Sequence, residues 1–140
     1  MKRILVIGCL LFFQSSLYAK TVYIDCEGSW TMGIKVGWLS RFTENDSGRV
    51  NGKLIISDSG VDYRNNGALV ARFYGNQCLV RDDGVFCKAD GCDKKNCDKA
   101  ELNIDFNRSS FLYERHSESN DGGMPSERED QHEGFCFIKN

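Results

Sequence analysis

The residues best able to do chemistry in this 140-residue chain are its seven cysteines and two histidines. Cys87, Cys92 and Cys97 recur every five residues, while Cys9, Cys26, Cys78 and Cys136 stand apart. Thiols so spaced can ligate a metal, act as nucleophiles or pair as disulfides. Structural zinc takes two pairs of cysteines two to four residues apart, or cysteine with histidine. A second such pair is missing, and His116 and His132 lie far along the chain. Each cysteine after Cys9 has a partner available, so a reactive thiol is not implied. Disulfide bonding is the expected chemistry, with no metal ion and no cofactor.

Catalytic signatures are missing too. The sequence holds no Gly-x-Ser-x-Gly elbow, no His-Glu-x-x-His helix and no phosphate-cradling glycine loop. Asp25 with Glu27 fits the wet face of a strand, and Asp82 with Asp83 fits a turn tip. Asp58 and Asp62 around Gly60 offer two ligands, well short of the six to eight oxygens calcium prefers. His116 and His132 fall in a polar stretch where a base would be poorly held. Asn45-Asp46-Ser47 and Asn107-Arg108-Ser109 match the glycosylation pattern and are given no role. The expectation is a chain that is not an enzyme, with no catalytic residue.

The elements that position the cysteines begin with an export signal. Lys2 and Arg3 precede an apolar run from Ile4 to Phe13 and a short polar exit ending at Ala19. That layout reads as a signal peptide over 1–19, cleaved after Ala19, which removes Cys9 and leaves six cysteines. The run is too short to span a membrane, which takes about 20 residues, and nothing later resembles a span. Export to a periplasmic or secreted location supplies the oxidising conditions in which disulfides persist. Loss of Lys2 and Arg3 takes eighteen basic residues to sixteen against twenty acidic ones, a formal net charge of −4. No basic stripe is present to neutralise phosphates, which argues against nucleic acid as partner.

Residues 20–140 read as a single all-β domain. Val22, Ile24, Cys26, Trp30, Met32, Ile34, Val36 and Trp38 alternate with mostly polar residues, the period of a half-buried strand. Glu27-Gly28-Ser29 is the expected bulge, bend or turn between two strands in that overlong run. Trp30 and Trp38 are expected to share the buried face. Further strands are expected over 50–57, 61–64, 68–74, 78–81, 85–88, 102–106, 111–114 and 134–138. Turn signals at Asp58-Ser59-Gly60, Asn65-Asn66-Gly67, Gly75-Asn76 and Asp82-Asp83-Gly84 separate them. About seven to nine antiparallel strands bury one face by closing into a β-barrel or folding into a β-sandwich. The polar stretch at about 115–133 is expected to be a long solvated loop.

On this scaffold Cys92 and Cys97 bracket a short loop, and Cys26 with Cys136 would tie the first strand to the last. Cys78 and Cys87 fall opposite one another if Asp82-Asp83 is a two-residue tip. A three-residue loop would set Leu79 there instead. Chain-entropy estimates give roughly 2 kcal/mol for the smallest closure and nearly 5 kcal/mol for the terminal tie. In layout the chain resembles small bacterial periplasmic proteins that bind and neutralise a hydrolase or toxin, a likeness without a diagnostic motif. The functional expectation is a non-enzymatic protein-binding module of inhibitor or immunity type, partnered by another protein. The alternatives are a barrel carrying an apolar ligand, or a secreted effector. Tyr23, Phe42, Phe73-Tyr74 and Phe111-Leu112-Tyr113 are the candidates for an exposed aromatic patch.

Overall fold

The computed structural model describes residues 20–38, 44–120 and 124–138. Residues 1–19, expected to be a signal peptide, and Phe42 lie outside them. Nine strands run in chain order: β1 (Val22–Val36), β2 (Glu44–Ser57), β3 (Gly60–Asn65), β4 (Ala68–Tyr74), β5 (Cys78–Arg81), β6 (Gly84–Cys92), β7 (Asn96–Asp105), β8 (Ser110–Ser119) and β9 (Ser126–Ile138). They form one sheet in the order β4-β3-β2-β1-β9-β8-β7-β6-β5, and every neighbouring pair is antiparallel. The sheet curls into a nearly closed barrel, so the fold is all-β and the barrel is the form it takes.

Strand parity explains why closure is incomplete. Eight antiparallel steps lead from β4 to β5, so these two strands run the same way. A side-by-side parallel pair would need a crossover of a dozen or more residues. Only Gly75–Gln77, one 3-10 turn, joins them. The chain therefore carries on in one direction, with β4 paired to β3 and β5 paired to the first half of β6. Beyond Cys87, β6 continues beside β4 without a ladder, which leaves a seam in the wall.

Local chemistry sets the register. Asn66 and Gly67 both take positive φ, +49° and +81°, the pairing a tight two-residue hairpin requires. Asp82-Asp83 is likewise a two-residue tip, with Arg81 opposite Gly84 and Cys78 opposite Cys87. Disulfides join Cys26 to Cys136, Cys78 to Cys87 and Cys92 to Cys97, each between residues paired in register. Three intramolecular bridges point to an oxidising environment. No helix among the described residues is long and apolar enough to cross a membrane.

Three expectations need correction. First, β1 is unbroken through Glu27-Gly28-Ser29, with no register shift against either neighbour. Gly28 sits opposite Gly134, and a Cβ on either would fall on a carbonyl of the facing strand, Glu133 or Glu27. Two bare backbones approach closely there, and the strand runs on without an extra residue. Second, Trp38 is 93% exposed, because the chain turns at Gly37, whose N–H donates to the Pro125 carbonyl (2.6 Å). Third, 115–133 is largely strand: β8 reaches Ser119 and β9 starts at Ser126. Alternation persists there, but the inward positions are Arg115, Ser117, Arg128, Asp130 and His132, so no apolar pattern marks it.

The interior is consequently divided. Ile24, Leu54, Val61, Phe73, Val85, Leu102, Ile104 and Phe111 fill one half and are essentially inaccessible to solvent. The other half holds the inward-facing polar residues.

Candidate functional site

The polar half is organised around His132, which is 8% exposed. Its neighbours in register are Trp30 on β1 and Tyr113 on β8, with ring centroids 6.3 and 5.3 Å away. Tyr63 reaches across the lumen from β3, and its hydroxyl lies 2.8 Å from His132 Nδ1. Room for the Trp30 indole comes from Gly48, where any Cβ would strike the ring. Burial lowers the His132 pKa, with Asp130 opposing. Burial also raises Tyr63 far above the usual phenol range and pushes Tyr113 up to about 12. Both phenols therefore keep their protons. With no other acceptor for Tyr63 among the described residues, its O–H donates to Nδ1 and leaves the imidazole proton on Nε2. Neither nitrogen is then presented as a base.

Charged residues at this end are matched to one another. Arg115 grips Asp98 through Nε to Oδ1 (2.8 Å) and Nη2 to Oδ2 (2.6 Å). That fork lowers the Asp98 pKa and raises that of Arg115. Arg128 holds Asp130 through Nε to Oδ2 (2.9 Å) and Nη2 to Oδ1 (3.0 Å). Among the described residues no sealed side-chain nitrogen or oxygen lacks a hydrogen bond.

On the outer wall at the same end, His116, Glu118 and Glu127 bring three potential metal-ligand atoms within 4.8 Å of one another. The members already contact one another. His116 Nε2 is 2.9 Å from Glu118, its Nδ1 faces Glu129 at 3.6 Å, and the Lys35 ammonium donates to Glu127 at 2.9 Å. Sequence spacing hid this cluster, since it forms only when β8 and β9 pair. Asp62 is held by Arg72 in a two-bond fork, and Asp58 is exposed on a turn.

The outer wall of β1 and β9 is different in kind. Phe135, Phe137 and Tyr23 are each more than half exposed, and half-buried Leu112 and Ile55 flank them on β8 and β2. Asp25, Glu27 and Glu133 share this face. The Cys26–Cys136 bridge lies directly beneath it, because the outward residues are its immediate sequence neighbours on both strands. Of the expected aromatic patch, Tyr23 and Tyr74 are exposed, whereas Phe73, Phe111 and Tyr113 are core. Phe135 and Phe137 went unread in the sequence. The signal was Cys136: a cysteine tied inward turns both its neighbours outward. No family model, curated protein or solved structure matches this chain.

Proposed function

We propose that this chain is an exported, non-enzymatic protein-binding module of inhibitor or immunity type, working in a periplasmic or extracellular space. The β9–β1 wall is its docking face. The observation that carries the reading is the strip formed by Phe135, Phe137 and Tyr23, exposed on strands that a disulfide locks from behind. Aromatic side chains dominate binding energetics at protein interfaces, and each brings large area at low entropic cost. Rigid strands lose little further freedom on association, which lowers the cost of docking. Asp25, Glu27 and Glu133 share this face with exposed Lys53, opposite Asp25, and Arg49, opposite Ser29, so the fitting partner offers an apolar spot whose rim carries both signs of charge.

The test is capture of partners from a periplasmic or secreted extract, comparing the oxidised protein with a Phe135→Ser/Phe137→Ser variant at low and moderate salt. A partner should be held by the unaltered protein at both salt concentrations and lost in the variant. Equal retention by both proteins, or no retention by either, removes it.

A further inference from the structure

The His116 cluster on the outer wall is assembled by strand register. His116 stands opposite Glu129 and Glu118 opposite Glu127, on β8 and β9, which lie inside the sheet with a neighbour on either side. Like charges set directly opposite one another destabilise a strand pair. Glu118 and Glu127 are such a pair, and Lys35 on β1 answers only one of them, donating to Glu127 Oε2 at 2.9 Å. With Glu129, three carboxylates and one ammonium leave a formal charge of −2 beside the imidazole. Lys99, next in the row, stands in register between His116 and Asp90. A cavity of about 450 Å³ at the rim, lined in part by Lys35, Glu118 and Glu127, gives water and ions access.

Distances separate the two ring nitrogens of His116. An ionised carboxylate only accepts, so the 2.9 Å contact with Glu118 Oε1 places a proton on Nε2. In the neutral ring Nδ1 then carries a lone pair, and it faces Glu129 Oε1 at 3.6 Å and Glu127 Oε1 at 3.8 Å. Both distances are too long for a hydrogen bond. They come close to the spacing of two ligands on one tetrahedral zinc ion, about 3.3–3.5 Å for bonds of about 2.0–2.1 Å. Lys35 holds the other oxygen of Glu127, which leaves Oε1 turned to Nδ1. A ligating histidine ordinarily donates its second N–H to a carboxylate, and Glu118 already takes that part.

We propose that His116 Nδ1, Glu127 Oε1 and Glu129 Oε1 bind a divalent transition-metal ion of the zinc type, with Glu118 as the positioning residue that fixes the ring. Imidazole beside carboxylate suits zinc, whereas calcium and magnesium take oxygen ligands. The site lies at the opposite end of β9 from Phe135 and Phe137, and it holds or falls separately from the proposed docking wall.

Zinc chloride is the probe, used on the oxidised protein, whose described cysteines are all bridged and cannot compete as ligands. Calorimetric titration should find one saturable zinc site, with calcium and magnesium at least about tenfold weaker. Nitrogen NMR of the ring should show the His116 Nδ1 resonance move with zinc while Nε2 keeps its proton. His116→Ala should abolish the site. Glu118→Gln should weaken it about tenfold and Glu127→Gln at least as much. Glu114→Gln, exposed on β8 outside the cluster, should leave it unchanged, and each variant should keep the amide spectrum of the folded protein. The proposal is overturned by no saturable uptake at millimolar zinc, by calcium bound as tightly as zinc, or by coordination through Nε2. Unchanged affinity in any of the three cluster variants, or equal loss in Glu114→Gln, overturns it as well.

Discussion

Replacing Cys26 and Cys136 together by alanine removes the bridge that joins the first strand to the last. The two residues are 110 apart in sequence, and the chain-entropy relation puts the loss for a loop of that length at about 4.8 kcal/mol. Removing Cys92–Cys97, whose separation is 5, costs about 2.1 kcal/mol by the same relation. Both Cys26 and Cys136 are buried in the core, so the lost sulfurs add a packing term to the first figure alone. At roughly 4 °C per kcal/mol for a domain of this size, the melting point should fall by about 20 °C in one variant and about 8 °C in the other. Since whole domains are stable by about 5–15 kcal/mol, the first variant sits near the folding threshold and the second stays clear of it. Guanidinium and thermal unfolding of both variants beside the unaltered protein would measure the gap. If Cys26→Ala/Cys136→Ala loses no more stability than Cys92→Ala/Cys97→Ala, the tie between β1 and β9 does not hold the barrel as described.

Other consequences are equally specific. Gly28→Ala should destabilise by about 2–3 kcal/mol in denaturant unfolding, because its methyl would fall on the Glu133 carbonyl, while Gly91→Ala meets only ordinary contact and should be close to neutral. Tyr63→Phe should cost about 1–2 kcal/mol by stranding the buried His132 Nδ1, whereas Asp98→Asn, in a half-exposed pair, should cost under about 1 kcal/mol. The unfolded chain binds a proton on His132 near its ordinary value of 6.5 while the folded chain, with its lowered pKa, does not. Stability from this residue is thus complete above about pH 6.5 and lost as the pH falls toward the folded value. His132→Phe should remove that part of the slope between pH 7.5 and 5.5, and an unchanged slope would refute the assignment.

The strands legible in the sequence were those whose inward positions are apolar. Ile24, Leu54, Leu102, Ile104 and Phe111 announce their faces, and Asn66-Gly67 announces its turn. The polar end stayed hidden because hydrophobic periodicity reports a buried face only when that face is apolar. Inward Arg115 pairs with Asp98 on β7 and His132 with Tyr63 on β3, partners invisible before the register is known, while Arg128 and Asp130 pair along β9 itself. The same limit concealed the His116 cluster, a product of strand pairing. Parity adds a lesson about the seam. No single residue encodes the gap; it follows from the short link at Gly75–Gln77 between two strands that run the same way. The proposed docking wall lay nearest to being readable, since one inward cysteine at 136 decides where Phe135 and Phe137 point.

Site-specific photo-crosslinking tests the central claim most directly. A photoreactive phenylalanine analogue placed at Phe137 on the proposed docking wall, and separately at Lys88 beside the seam, would be irradiated in the native compartment. Position 137 should give one discrete protein adduct and position 88 none. Adducts from position 88 alone, or from neither position, would contradict that claim.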